Sequence, residues 1–203
     1  MNGVYINLSH REDRMKHMES LKQTHPFFKN VVRMDAIKHT RGDIGCSQSH
    51  IKALSQQTIE DDYFIIMEDD FCILNVDNFN LFVKEFDTIK HDQTWDVLTM
   101  TPRGDTTIRN KYFNYIQNNQ TATCYIIRNR FNKILSQNLK TGCNQLIQTG
   151  NKNLYVNDQC WKILQNNNFI YFNQIFGGQL ESYSDIEKRN VNYNERFISQ
   201  VKF

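Results

Sequence analysis

The chain has 203 residues, 39% hydrophobic and 23% charged, a balance that suits one folded core and excludes a disordered polypeptide. A formal net charge of +2 is too small to mark a nucleic-acid binder, and no apolar run approaches the roughly 20 residues that span a bilayer. The first residues, MNGVYINLSHRED, lack the basic and long apolar regions of a secretion signal; the five scattered cysteines form no CxxC pair, so reduced thiols and a cytoplasmic location are expected.

In chain order, Gly3–Leu8 (GVYINL) reads as a buried strand, and after a polar turn Met15, Met18 and Leu21 recur at helical spacing. Asn30–Met34 (NVVRM) is a second strand, ending at Asp35 and Ala36. Gly42 and Gly45 then precede a helix over Ser47–Ile59, with Ile51, Leu54 and Ile59 near one face. Phe64–Met67 (FIIM) is a third strand, followed by the helical stripe Phe79, Phe82, Phe86 and Ile89. Trp95–Met100, Thr123–Ile127 and Phe169–Phe172 supply three more strands, with helical patterns around Phe131–Leu139 and Val156–Leu164. Strands alternating with helices predict one α/β domain over residues 1–203, with a mainly parallel central sheet covered by helices on both faces. Two long stretches without clean period, Thr101–Gln120 and Gly177–Phe203, are expected to be lids that order over a ligand.

In such a sheet, ligands bind outside the carboxyl ends of the strands. The first three strands end at Asn7-Leu8, Asp35-Ala36 and Glu68-Asp69-Asp70. Three consecutive carboxylates repel one another unless solvent or a positive charge relieves them. A solvated acidic turn is one reading. The other is a hard divalent cation, Mg²⁺ or Mn²⁺, which takes oxygen ligands on a rigid support and leaves positions for phosphate. The turn after the first strand carries Arg11 and Arg14, whose guanidinium groups suit phosphate oxygens or simply decorate a helix start. Cys46 and His50 stand four apart, the spacing of half a zinc site, but no second pair accompanies them, so zinc is not expected. Ser47 or Ser49 could cap the following helix or present N–H groups to phosphate.

The segments YINLSHREDR, GDIGCSQSHIKAL, FIIMEDDF, WDVLTM and SYSDIE occur in the order seen in glycosyltransferase family 25, which this chain resembles over nearly its whole length. That family includes lipopolysaccharide-building enzymes and procollagen galactosyltransferases, with similar domains in large DNA viruses. The sequence departs from the family pattern at Ser9-His10, at Asp43 where Glu is usual, and at Thr99-Met100-Thr101. The resemblance implies a GT-A type of fold, a UDP-sugar donor, and Mn²⁺ or Mg²⁺ held by a DxD-like motif. It makes Glu68-Asp69-Asp70 that motif, with Asp70 and Glu68 as metal ligands and Asp69 beside them, and Asp185 of Ser184-Asp185-Ile186 as a further ligand. The nucleoside would lie over Asn7 and Leu8 with Asp35 or Ala36 near the ribose or base, and Arg11 and Arg14 would face the diphosphate; from the residues themselves, Ser49 and His50 are candidates for contact with the donor, a packed or hydrogen-bonding role being the other reading of His50.

An inverting transfer also needs a carboxylate to take the acceptor hydroxyl's proton, and Asp158 matches the Val-Asp-like step that precedes a late helix in the family; a plain helix-start acid is its other reading. Tyr183, Tyr193 and Phe197 would flank an acceptor sugar, in a glycan or glycoprotein such as a cell-surface polysaccharide or viral capsid glycan. Two other classes compete. A non-catalytic nucleotide-sugar or carbohydrate-binding module has no reason to keep repelling carboxylates together. A sugar-phosphate nucleotidyltransferase would carry a Gly-rich phosphate loop after the first strand, where this chain has SHREDR.

Overall fold

The computed structural model describes residues 1–194; Phe197, with the rest of 195–203, lies outside the described residues. In chain order the elements are β1 (Asn2–Asn7), α1 (Glu12–Thr24), β2 (Val31–Asp35), α2 (Gly42–Leu54), β3 (Tyr63–Glu68), β4 (Phe71–Ile73), α3 (Val76–Ile89) and β5 (Val97–Thr99). There follow β6 (Asp105–Ile108), β7 (Phe113–Gln117), β8 (Cys124–Arg128), α4 (Asn129–Thr149), α5 (Lys152–Tyr155), α6 (Asn157–Cys160), β9 (Phe169–Phe172), β10 (Gly177–Gln179), β11 (Ser182–Ser184) and β12 (Arg189–Val191).

Eight strands form one sheet in the order β2-β1-β3-β8-β5-β9-β7-β6. Six of the eight point the same way; β8, wedged between β3 and β5, and β7, between β9 and β6, are reversed. The period-2 rule of a strand sorts the core into two layers. Tyr5, Ile65 and Met67 face α1 and α3, joining Met18, Leu21, Phe79, Phe82 and Phe86. Val4, Ile6, Phe64 and Ile66 face the other way and pack with Ala53 and Leu54 of α2 and with Phe131, Leu135 and Leu139 of α4. Helices therefore cover both faces, which is why FIIM is apolar at every position rather than at alternate ones.

Local signals set the helix ends. The Asn75 side chain caps α3 by accepting from the Asn78 N–H at 2.9 Å, and α4 stops at Gly150, whose φ of +70° is the left-handed position that glycine occupies without a Cβ penalty. Two sequence expectations change. α2 runs from Gly42 to Leu54, not from Ser47 to Ile59, so both glycines lie in its first turn and Ile59 is exposed beyond its end. Gly45 is there because a Cβ would come within 2.6 Å of the Ile37 carbonyl oxygen. Thr101–Gln120 is not a free lid: it carries β6 and β7, with Phe113 and Ile116 fully buried, but strands this short and this polar outside those two residues leave little periodic signal.

Candidate active site

The carboxyl ends of β1, β2 and β3 open into a cavity of about 740 Å³, a size suited to a ligand as large as a nucleotide sugar. The acidic trio stands in its wall because β3 ends at Glu68 and the chain must turn before β4. The positive charge among the acids is Arg14. Its Nη1 lies 2.8 Å from Asp69 Oδ1 and 3.2 Å from Asp70 Oδ2. Asp69 is further held by the Asn7 amide, which donates to Oδ2 at 2.7 Å. Glu68 instead faces α2, with His50 Nε2 at 3.2 Å and the Cys46 Sγ at 3.6 Å.

Three carboxyls beside one guanidinium leave the cluster under-neutralised, and the ionisation follows from that. Burial, and then the charge of Glu68, push Asp70 up to about 7, with Arg14 only partly offsetting them. Burial also raises Asp69 despite Arg14 and Asn7. For Glu68, hydrogen bonds from His50 and Cys46 outweigh burial and hold the carboxyl below its usual value. Asp70, only 13% exposed, and Glu68 both present carboxylate oxygens to the cavity. This all-oxygen pair on a rigid strand end fits a hard divalent ion.

Several expected residues line the same cavity: Leu8, Ala36, Ser49 and His50 on one side, Asp158 and Asp185 on others. Asp158, in α6, is pushed up to about 6 by burial and by the charge of Glu68. Ser49 and Ser47 do not cap α2; their hydroxyls donate back to the Gly45 and Asp43 carbonyls at 2.7 and 3.0 Å, and the Ser49 oxygen accepts from the Ile37 N–H at 2.8 Å.

Four expected residues stand off the cavity wall: Asn7, Asp35, Arg11 and Tyr183, which is exposed, whereas Tyr193 lines it. Asn7 is buried, and its amide is spent on Asp69, on the Arg11 carbonyl and on Arg33. Asp35 is turned to solvent and pairs with Arg33 at 2.6 Å. Arg11 binds Asp13, Asp185 at 2.7 Å and the Tyr183 carbonyl at 3.0 Å. Arg14 also donates to that carbonyl and to Ser182 Oγ, at 2.9 and 3.0 Å. The two arginines of the SHREDR turn therefore tie the β11–β12 hairpin across the acidic cluster, and the Leu180 N–H adds a bond to the Asp70 carbonyl at 2.7 Å. Asp185 is held low by Arg11 and His10 against the upward push of burial.

Residues that sequence reasoning passed over complete the wall. Arg103, Lys38 and Lys152 bring positive charge to the cavity, and Thr121 and Thr123 line it from the irregular segment ahead of β8. Their hydroxyls lie 3.2 Å apart, with Thr101 another 3.2 Å from Thr121. None of these lies in a motif; a TPRG or a TAT tripeptide carries no signal until the sheet brings it beside β3.

No protein-family model matches the chain, and no curated protein matches it by sequence. Solved structures do. A glycosyltransferase involved in glycosylation of the major capsid of PBCV-1 aligns with a TM-score of 0.55 over 97% of this chain and 87% of its own, at 10% identity. The fold is of the GT-A type. Two further structures align less closely. Drosophila β1,4-galactosyltransferase 7, in a complex with manganese, UDP-Gal and xylobiose, gives a TM-score of 0.43 at 10% identity over 99% of this chain and 79% of its own. A 4-diphosphocytidyl-2C-methyl-D-erythritol synthase from Anaerococcus prevotii gives 0.39 at 9% identity over 91% and 74%. Among the described residues no helix is long and apolar enough to cross a membrane.

Proposed function

We propose that the chain is a metal-dependent glycosyltransferase that moves a sugar from a UDP-sugar donor to a glycan or glycoprotein acceptor, with inversion at the anomeric carbon. The observation that carries this reading is the acidic run Glu68-Asp69-Asp70 at the end of a central strand, in the wall of a cavity of about 740 Å³ in a GT-A fold. Asp70 and Glu68 would hold Mn²⁺ or Mg²⁺, with Asp185 reaching the site from the β11–β12 hairpin. When bound, the ion supplies positive charge to the diphosphate as it leaves.

The remaining work falls to the chain itself. Arg14 keeps Asp69 and Asp70 in place by its paired hydrogen bonds. Arg103, Lys38 and Lys152 draw the anionic donor into the cavity. Leu8 and Ala36 offer apolar and backbone surface to the nucleoside, and Ser49 and His50 buttress the wall beneath it. Asp158 takes the proton of the acceptor hydroxyl. A value of about 6 leaves it ionised at neutral pH while making it a stronger base than an ordinary aspartate. The direct experiment is to follow donor hydrolysis and transfer across several UDP-sugars with and without Mn²⁺; turnover that ignores the metal would overturn the reading.

A further inference from the structure

Cys46 and His50 stand one turn apart on α2, and Glu68 ends β3 beside them. His50 Nε2 and Cys46 Sγ lie 3.2 and 3.6 Å from the same oxygen, Glu68 Oε1, and one donor atom from each residue falls within 4.8 Å of the other two. In a tetrahedral zinc site with bonds of about 2.0–2.3 Å, neighbouring donor atoms sit roughly 3.3–3.6 Å apart. The third ligand missing from the sequence thus comes from a different element, and we infer that Cys46, His50 and Glu68 form a three-ligand site for Zn²⁺. All three line the cavity, so the fourth coordination position opens into it.

The surroundings match what such a site needs. His50 is almost fully buried and stacked on Tyr125, rings 5.9 Å apart and 14° from parallel, with Nδ1 3.2 Å from the Tyr125 hydroxyl. A ligating imidazole carries its proton on the other nitrogen, and the Tyr125 oxygen is placed to accept it. The Asn157 amide points at Cys46 Sγ from 3.8 Å, ready to donate to a thiolate. Gly45 seats this turn of α2 against the Ile37 carbonyl and so fixes the sulfur's position. Without a cation the same atoms form hydrogen bonds: the Cys46 thiol and the His50 Nε2–H donate to Glu68. On binding, the thiol proton passes to solvent and the imidazole proton sits at Nδ1. Thiolate and imidazole select a borderline-soft ion, whereas the carboxylates of the proposed Mn²⁺ or Mg²⁺ site select a hard one; Glu68 would be the ligand common to both, with Cys46 and His50 belonging only to the first and Asp70 only to the second.

The test is titration of the full, chelator-treated chain with Co²⁺, whose tetrahedral ligand-field bands and thiolate charge-transfer absorption report the ligand set. We expect one equivalent to give both features, and Zn²⁺ to displace it. Cys46→Ser, a near-isosteric change, should abolish the charge-transfer band and weaken Co²⁺ at least tenfold while circular dichroism stays native. Cys160→Ser should leave the spectrum unchanged. Asp70→Asn should keep the cobalt spectrum, which separates this site from the one proposed for the donor. Absence of the thiolate band in the wild-type chain, or its survival in Cys46→Ser, overturns the proposal.

Discussion

Replacing Asp158 by Asn should make the protein more stable and less active. Folding takes this carboxyl from 3.8 to about 6, chiefly by burial and by the charge of Glu68. Between those two values the native state binds more protons than the unfolded chain, so stability falls as pH rises through the window and stays reduced above it. At about 1.4 kcal/mol per tenfold change, holding Asp158 ionised at pH 7.5 costs the native state about 3 kcal/mol. Asn removes that cost and keeps the shape. Urea unfolding should therefore show the variant about 2–3 kcal/mol more stable than wild type at pH 7.5, with the difference vanishing near pH 4. Transfer to acceptor should drop by about 10²–10⁴, the typical worth of a general base, while UDP affinity is retained. In the wild-type enzyme kcat/KM should fall as pH drops through about 6. A stability difference that is absent at pH 7.5, or that does not change with pH, would refute the buried-carboxylate reasoning; near-normal transfer would place the base elsewhere.

Other perturbations probe the supports. Arg14→Met leaves Asp69 and Asp70 without their buried cation, and by the usual cost of breaking such a pair should destabilise by about 3 kcal/mol in thermal or urea unfolding, with part of the loss restored by Mn²⁺. Unchanged stability in metal-free buffer would show that the ion pair contributes nothing. Arg11→Ala should speed hydrogen exchange in Ser182–Val191, since the side chain holds Asp185 and the Tyr183 carbonyl, and should weaken uridine and UDP to similar extents. A loss confined to UDP would mean that Arg11 meets the diphosphate directly. Donor binding should slow exchange in the same hairpin, and equal protection with and without UDP-sugar and Mn²⁺ would count against its ordering over the ligand as a lid.

Much of this architecture was legible because its signals are local. FIIM reads as a fully buried strand since both of its faces are covered, and the stripe Phe79, Phe82, Phe86 and Ile89 is the buried face of α3. The acidic trio was placed at a strand end by pattern alone, and the rule for open α/β sheets put the cavity there. What stayed hidden depends on long-range pairing. β7 and β8 run against the other six strands, and nothing in FNYIQ or CYIIR states a direction. The company of Arg14 was hidden too: the sequence offers phosphate or solvent as its partner, whereas the fold delivers Asp69 from 55 residues away. Cys46 and His50 looked like half a motif because the third donor, Glu68, is separated in sequence and meets them only when α2 packs on β3.

If Asp70 and Glu68 hold a divalent cation as proposed, binding of the donor diphosphate depends on that ion. Isothermal titration of UDP into the protein, with Mn²⁺ and then with EDTA, for wild type and Asp70→Asn, tests it most directly. Binding in Mn²⁺ should weaken at least tenfold in EDTA and in the variant, with the variant still folded. UDP affinity that is the same in all of these conditions would contradict it.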